Sequence, residues 1–249
     1  MRVAAIVAAG GQGTRLGTAV PKQFLELGGR AILDRSVEAL LLCPAIAEVV
    51  VALPSADAAA PPEYLRRVAP RVRTVEGGRR RQDSVANAFA AISADVDVVV
   101  IHDAARPFVD RATIERTIEA AVEAGAAIAA LQAADTVKLA DITETSWIGG
   151  EFGQPVPAVQ PKRVPAVKRT LDRETIFLAQ TPQAFRRDVL ARAIAHGQQG
   201  ADATDEASLA EQLGQTVLLV PGDPRNLKIT TAADLAFARG LLIERGEVS

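Results

Sequence analysis

Two cations accompany a glycine-rich stretch near the start of the chain. The apolar run MRVAAI leads into VAAGGQGTRLGTAVPKQF, whose four glycines lie around Arg15 and ahead of Lys22. A glycine turn between a strand and a helix exposes successive backbone N–H groups, which attract anions. Arg15 offers a planar fork for phosphate oxygens and Lys22 a compact charge, so the pair would suit displacement at phosphorus on a triphosphate. A structural turn beside two solvated cations is the alternative that this stretch leaves open.

Two familiar phosphate-binding patterns do not fit this loop. Gly11 and Gly13 match the start of the dinucleotide pattern G-x-G-x-x-G, but Leu16 stands where the third glycine belongs. No G-K-[ST] follows at the spacing of the large nucleoside triphosphatase class. A dinucleotide oxidoreductase is therefore disfavoured, and detectable NAD(P) binding would revive it.

Two further polar clusters follow apolar runs. GGRRRQDSV places Arg81 and Ser84 after a second glycine turn, at the predicted start of a helix. HDAARP places Asp103 and Arg106 just beyond the carboxyl end of a predicted strand, where ligands bind in open α/β sheets. A carboxylate there can hold Mg²⁺, which prefers oxygen ligands and phosphates. By themselves, Asp103 and Arg106 could equally form a structural salt bridge.

Other reactive residue types give no persuasive nucleophile–base pair. His102 and His196 are the only histidines, and no G-x-S-x-G elbow is present for a serine hydrolase. We interpret His102 as structural and His196 as a surface residue. The single cysteine, Cys43, lies in the apolar stretch LLLCPAI and is interpreted as a buried small hydrophobe.

The overall composition is that of a globular protein. The 249 residues carry 28 lysines and arginines against 30 aspartates and glutamates, so a general nucleic-acid or membrane-surface binder is not expected. One cysteine excludes an intrachain disulfide and suits a reducing compartment. The apolar start is too short for a signal peptide, and no run reaches the roughly 20 apolar residues of a transmembrane helix. We expect a cytoplasmic protein.

Short apolar runs alternate with helical patterns along the chain. Strands are predicted at VAAIVA, EVVVAL, VRTVEG, DVVVIHD, AAIAAL, QTVLLVPG and NLKIT, and helices at AILDRSVEALLL, DSVANAFAAI, FRRDVLARAIAHG, DEASLAEQL and TAADLAFARGLLIE. The clearest helix follows Asp110, a suitable N-cap, and should stop at Gly125, while Thr231 and Asp234 resemble a capping box for the last helix. Near-continuous apolar strands indicate a mostly parallel sheet with helices on both faces, an α/β fold.

The alternation breaks at about residues 139–175. This stretch is rich in proline and glycine, lacks a helical period and contains the only tryptophan. Its apolar residues Val156, Val159, Val164 and Val167 favour an extended arm or hairpin that packs on another surface, plausibly a second subunit, over a disordered loop. No linker is apparent, so residues 1–249 are expected to form one domain that carries this arm.

Eight motifs occur in the order seen in one enzyme family. AAGGQGTRLG…PKQF, GGRRRQDSV, HDAARP, DTVK, LDR, QTPQAF, ATDEAS and NLKIT span nearly the whole chain. In this the chain resembles the 2-C-methyl-D-erythritol 4-phosphate cytidylyltransferases of the non-mevalonate route to isoprenoid precursors. The resemblance implies a Rossmann-like, nucleotidyltransferase-type fold and a Mg²⁺-dependent reaction. CTP and methylerythritol phosphate would give 4-diphosphocytidyl-2-C-methyl-D-erythritol and pyrophosphate.

The resemblance also assigns roles by motif. Arg15 and Lys22 would stabilise the pentacoordinate transition state, while Arg173 and Lys228 would position the sugar phosphate. The nucleotide loop would comprise Ala9, Gly10, Gly11 and Gly13, and the cytosine and ribose side Gly78, Arg81 and Ser84. Asp103 would lie near the metal and the substrate hydroxyls, and Arg106, Thr136 and Thr204 would complete the methylerythritol site.

In this family the arm is exchanged between the two subunits of a homodimer, so Thr136 and Arg173 would act on the partner's substrate. The stretch between DTVK and LDR carries an added SWIGGEFGQPVPAVQPKR, which makes the dimer geometry less secure. Two alternatives stay open: a ribitol 5-phosphate cytidylyltransferase, which the LDR and ATDEAS segments disfavour, and a catalytically silent nucleotide-binding module.

Overall fold

The structure is a computed structural model that describes residues 1–11, 20–145 and 162–247. The described strands are β1 (Val3–Ala8), β2 (Glu26–Leu27), β3 (Arg30–Ala31), β4 (Ile46–Leu53), β5 (Val72–Glu76), β6 (Val98–Asp103), β7 (Ala126–Gln132), β8 (Lys138–Thr145), β9 (Lys162–Thr170), β10 (Phe177–Arg186) and β11 (Leu218–Pro221). The described α-helices are α1 (Ile32–Leu41), α2 (Ser55–Ala59), α3 (Glu63–Arg67), α4 (Arg81–Ala91), α5 (Arg111–Ala124), α6 (Arg187–Gln198), α7 (Glu206–Gln212) and α8 (Ala232–Glu244). Short 3₁₀ turns occupy Lys22–Phe24 and Arg173–Thr175.

The chain divides into two compact units. Residues 1–131 and 179–249 form the first, and residues 132–178 form the second. Seven strands make one sheet in the order β11-β7-β10-β6-β1-β4-β5. The pairs β1–β4, β1–β6, β4–β5 and β7–β11 are parallel, whereas β10 runs antiparallel to β6. The predicted α/β fold with a mostly parallel sheet is confirmed.

Helices cover the two faces of the sheet in separate layers. Alternate residues of β1 point to opposite faces, with Val3, Ala5 and Val7 in one apolar cluster and Ala4 and Ile6 in the other. The first cluster includes apolar residues of α1 and α5, and the second includes those of α4, α6 and α7. A third, smaller cluster packs α8 against Leu27, Phe108 and Ile229. Burial on both faces explains why these strands are almost wholly apolar.

The predicted helix boundaries are confirmed at α5 and α8. The carboxylate of Asp110 accepts a 2.7 Å hydrogen bond from the Thr113 N–H, and Gly125 ends the helix at φ +94°. Thr231 and Asp234 exchange side-chain-to-backbone hydrogen bonds as a capping box at the start of α8. These short-range signals hold because the residues that satisfy the helix ends are their neighbours in sequence.

Two predictions about strands were wrong. Residues 226–230, the NLKIT motif, form an irregular loop and not a strand. Strand β10 was not predicted, although it lies inside the sheet between β6 and β7. Its sequence FLAQTPQAFR contains a proline and two glutamines, which favour neither a buried strand nor a helix by local propensity. Tertiary pairing with β6 overrides that weak local signal.

The second unit contains the antiparallel hairpin β8–β9, with registers from Lys138 opposite Thr170 to Thr145 opposite Lys162. The predicted arm, at about 139–175, falls largely on this unit. Its role in dimer formation, and the organisation of the chain as one domain, stay predictions. Residues 146–161, which include most of the added segment, lie outside the described residues. None of the described helices is both long and apolar enough to cross a bilayer.

Candidate active site

A cleft of about 260 Å³ opens in the first unit, at the end of the sheet where β1 and β6 finish. Three segments after strands line it: the first glycine loop after β1, the second glycine turn after β5, and the HDAARP loop after β6. The NLKIT segment adds Lys228 and Thr230. The described lining includes five cationic side chains, Lys22, Arg79, Arg80, Arg81 and Lys228, against one carboxylate, Asp103. Such a surplus of positive charge in a concave site attracts polyanions.

The first glycine loop is held by Gln23. This side chain is buried, and its Nε2 donates to the carbonyl oxygens of Ala9 at 2.8 Å and Gly11 at 3.0 Å. Because both acceptors are main-chain oxygens, the amide fixes the path of the loop as it leaves β1. Gly11 itself has open space around its Cα, where a larger group could approach the backbone.

The second glycine turn packs directly on the first. A Cβ atom on Gly77 would lie 3.2 Å from the Cα of Gly10, and one on Gly10 would lie 2.9 Å from the Oγ of Ser84. The N–H of Gly78 donates to that same Oγ at 2.9 Å. A Cβ on Gly78 would lie only 2.3 Å from the Cβ of Asp83. The glycines therefore permit a close backbone approach that side chains would prevent.

Asp103 lies at the centre of the charged groups. Its carboxylate is 2.8 Å from the Lys228 ammonium, 3.3 Å from Nε of Arg81 and 3.5 Å from Nε of Arg106. Burial alone would raise its pKa, but Arg81, Lys228 and Arg106 together hold the pKa well below its usual range. Asp103 is therefore ionised at neutral pH and draws three cations toward one point.

Arg81, the first residue of α4, bridges two carboxylates. Besides Asp103 it contacts Glu206, the first residue of α7, through Nη1. Glu206 is only 1% exposed, whereas the Arg81 side chain is 26% exposed and lines the cleft. Burial raises the pKa of Glu206 while Arg81 opposes that rise. Glu206 therefore anchors the guanidinium from behind, on the buried side.

Lys22 and Lys228 meet through the NLKIT segment. The ammonium of Lys22 donates to the carbonyl oxygen of Ile229 at 3.3 Å, which places it one residue from Lys228. The Ile229 N–H in turn donates to the carbonyl oxygen of Ala105 at 2.9 Å, inside the HDAARP loop. Cations from the two ends of the chain thus converge on the same side of the cleft as Asp103.

The structure brings most of the expected residues to one place. Those lining the cleft are Ala9, Gly10, Gly11, Lys22, Gly78, Arg81, Ser84, Asp103 and Lys228. Arg106 is buried beside Asp103 and does not line the cleft, and Thr204 is exposed just before α7 and also outside the lining. Thr136 and Arg173 belong to the second unit, where the Arg173 guanidinium donates to the Ala134 carbonyl at 2.9 Å. Gly13 and Arg15 lie outside the described residues.

Sequence reasoning missed the supporting residues. Gln23 and Glu206 lie within quoted motifs, PKQF and ATDEAS, and Thr230 ends NLKIT. Each motif carried a signal, but nothing in the sequence shows that Gln23 and Glu206 are buried or what they contact. These contacts span distances of up to 125 residues along the chain and exist only in the fold.

The donor set around the cleft suits a metal held mainly by a ligand. Among the described residues no group of three or more histidine, cysteine or acidic side chains could hold an ion. Asp103 is the one carboxylate in the part of the lining that the structure describes. Mg²⁺ commonly binds through one or two carboxylates plus substrate phosphates and keeps several waters. A single buried, ionised aspartate beside a polyanion site fits that mode.

Comparisons with known proteins agree on one family. The family model described as "IspD: 2-C-methyl-D-erythritol 4-phosphate cytidylyltransferase" matches residues 3–150 and 156–244. A bifunctional IspD/IspF enzyme of Anaeromyxobacter dehalogenans is 48% identical over 97% of this chain, and the chain spans 57% of that enzyme's length. A 2-C-methyl-D-erythritol 4-phosphate cytidylyltransferase of Acidobacterium capsulatum is 39% identical over 98% of this chain and 99% of the relative.

A solved structure gives the same result. The crystal structure of the cytidylyltransferase of that name from Thermus thermophilus superposes with a TM-score of 0.73 at 36% identity, covering 97% of this chain and 98% of the other. The family match leaves out residues 151–155, which lie within the added segment between DTVK and LDR. With the family model matching nearly the whole length, the chain belongs to the 2-C-methyl-D-erythritol 4-phosphate cytidylyltransferase (IspD) family.

Proposed function

We propose that this chain transfers CMP from CTP to 2-C-methyl-D-erythritol 4-phosphate, a step of isoprenoid precursor synthesis. An oxygen of the sugar phosphate attacks the α-phosphorus of CTP, and the bond from that phosphorus to the bridging oxygen breaks. The products are 4-diphosphocytidyl-2-C-methyl-D-erythritol and pyrophosphate. The observation that carries the proposal is the cationic cleft, in which Lys22, Arg81 and Lys228 surround Asp103 in a member of this family.

The chemistry asks for alignment and charge stabilisation. The attacking phosphate oxygen is already an anion, so no general base is needed for the transfer. Lys22 is assigned to the charge that develops at the α-phosphorus and on the leaving pyrophosphate. Arg15, assigned by its motif, would share that task. Preorganised cations of this kind lower the barrier because they are in place before the charge develops.

The nucleotide half of the cleft is assigned to the two glycine loops. Gly10 and Gly11 would bring main-chain N–H groups close to the triphosphate. Gly78 and Ser84, joined by their 2.9 Å hydrogen bond, would form the narrow side that receives the cytosine and ribose. Arg81, anchored by Glu206, directs its remaining N–H donors toward this half. Crowding around Gly78 would favour a pyrimidine over a purine.

The acceptor half is assigned to Asp103 and Lys228. The ammonium of Lys228, held 2.8 Å from the carboxylate, would bind the sugar phosphate, and Asp103 would accept hydrogen bonds from its hydroxyl groups. Asp103 is also the assigned protein ligand of Mg²⁺, which would neutralise charge on the triphosphate when bound. Arg106 would act mainly by holding Asp103 from the buried side. Thr204 would complete this half only after a ligand orders the start of α7.

We further propose that a homodimer completes the site. The hairpin β8–β9 exposes the apolar side chains of Leu139, Ile142 and Val167, which a second subunit would cover. Thr136 and Arg173 lie on the same unit and would reach the partner's acceptor site. Sedimentation equilibrium tests this directly: we expect a dimer, and Ile142→Asp with Val167→Asp should give monomers. A chain that is monomeric at micromolar concentration would contradict the proposal.

The activity is tested by following pyrophosphate release with CTP, MgCl₂ and one polyol phosphate at a time. We expect turnover with methylerythritol phosphate, at least tenfold less with ribitol 5-phosphate, and none after chelation of the metal by EDTA. ATP, GTP and UTP serve as controls for base selection. A preference for ribitol 5-phosphate, or CTP binding without turnover of either acceptor, would overturn the assignment.

A further inference from the structure

Four buried residues behind the cleft form a closed ring of hydrogen bonds. The His102 ring contacts the carbonyl oxygen of Arg106 through Nε2 at 2.9 Å, and the guanidinium of Arg106 donates to the carbonyl oxygen of Asn226 at 2.8 Å. The side-chain amide of Asn226 donates to the carbonyl oxygen of Thr181 at 2.8 Å. The hydroxyl of Thr181 lies 3.0 Å from Nδ1 of His102, which closes the ring.

The acceptors in this ring fix the direction of every bond. A carbonyl oxygen can only accept, so Nε2 of His102 carries the proton toward Arg106. In the neutral ring Nδ1 is then the acceptor, and the Thr181 hydroxyl donates to it. The same hydroxyl oxygen accepts the main-chain N–H of Asp103 at 3.0 Å. No member of the ring can be reversed without breaking another of its bonds.

The ring joins three segments that are distant in sequence. His102 and Arg106 belong to β6 and the HDAARP loop, Thr181 to β10, and Asn226 to NLKIT. All four side chains are buried, with exposures between 0 and 8%. Polar groups so fully removed from water are costly unless they are satisfied, and a satisfied network favours a single arrangement. The ring thus spans the two segments that supply Asp103 and Lys228.

We propose that His102 and Asn226 are positioning residues, which set the separation of the Asp103 carboxylate and the Lys228 ammonium by closing this ring. Asp103 follows His102 directly, and its N–H is bound to the ring through Thr181. Lys228 lies two residues after Asn226, and the neighbouring Ile229 N–H is bound to Ala105. The four ring members all lie outside the glycine loops of the nucleotide half. The proposal rests on the proposed function for its kinetic test alone.

The first test is hydrogen–deuterium exchange, which needs no activity. We compare the wild type with His102→Phe and Asn226→Leu, which keep approximate size and remove the hydrogen bonds. The expected result is at least tenfold faster exchange at the amides of Arg106 and Ile229 in both variants, with α4 unchanged. Unaltered exchange at both amides, or acceleration of α4 by the same factor, would overturn the proposal.

The second test uses Thr181, whose two replacements separate shape from hydrogen bonding. Thr181→Ser keeps the hydroxyl and Thr181→Val removes it at nearly constant shape. We expect Thr181→Val to lower kcat/KM for methylerythritol phosphate by about 10²-fold, since displacement of a reacting group by about 1 Å has that effect. KM for CTP should change less than threefold, and Thr181→Ser should remain within threefold of the wild type throughout.

The two tests also separate this proposal from the proposed function. Equal losses for CTP and the acceptor, or a serine variant as impaired as the valine variant, would contradict positioning. A wild type that turns over neither polyol phosphate would sink the proposed function, and exchange at Arg106 and Ile229 would then decide the ring by itself. Where His102→Phe does not fold, the Thr181 pair is measured by exchange in the same way.

Discussion

Replacing Arg81 by methionine should expose how strongly its buried partner depends on it. Glu206 is 1% exposed, and Arg81 is the cation that contacts it. One of its two carboxylate oxygens has no hydrogen-bond partner among the described residues. Breaking a buried ion pair from one side costs about 3–5 kcal/mol, because the remaining charge is left in a poor dielectric. Since the Arg81 site is partly open to water, we expect the lower end, about 3 kcal/mol at pH 8.

The loss should depend on pH in a defined direction. Without Arg81, burial raises the pKa of Glu206 further above the value of the unfolded chain. The folded variant then binds a proton more readily than the unfolded chain, so its stability falls as pH rises through that interval. The destabilisation should therefore be smallest below about pH 4.3, the ordinary pKa of glutamate, and largest at neutral pH and above.

Thermal unfolding of four variants measures this. A loss of about 3 kcal/mol corresponds to about 6–12 °C in Tm for a chain of this size. The double variant Arg81→Met with Glu206→Gln, which removes both charges, should recover most of it. Arg67→Met, which breaks an exposed pair with Glu63, should cost less than about 1 kcal/mol. Single and double variants equally destabilised at every pH would refute the reasoning.

Three further results are expected. Lys22→Ala should lower kcat by about 10²–10³-fold with a smaller effect on CTP affinity, and steady-state kinetics showing weakened CTP binding with kcat intact would contradict its role. Gly78→Ala, whose Cβ would meet Asp83 at 2.3 Å, should cost about 1–3 kcal/mol in urea unfolding and raise KM for CTP, whereas Gly11→Ala, with open space, should leave stability within about 0.5 kcal/mol. Gly125→Ala should cost about 1–2 kcal/mol in the same measurement because its φ is +94°, and an unchanged urea midpoint would argue against strain there.

Sequence could predict those parts of the fold that depend on neighbours along the chain. The N-cap at Asp110, the stop at Gly125 and the apolar strands of the parallel core are signals carried within a few residues. Strand β10 escaped prediction because its place depends on pairing with β6, and its own residues favour no element. The sheet class was therefore predictable, while the antiparallel member was not.

The site divides in the same way. Motif order was sufficient to name Lys22, Asp103 and Lys228, which the fold then brings to one cleft. The residues behind them could not be predicted, because burial of polar groups such as Glu206 and Asn226 is a property of the assembled fold. By residue type alone, an acid and an amide would ordinarily be solvated.

The position of β10 has a consequence for synthesis on the ribosome. The chain emerges in order, yet β10 must insert between β6 and β7, and NLKIT must reach the HDAARP loop, before the cleft exists. Until about residue 186 has left the exit tunnel, β6 presents an unpaired apolar edge, which is prone to join other chains. A nascent chain stalled halfway should therefore need chaperone protection, and premature truncation within the last quarter should abolish catalytic competence outright.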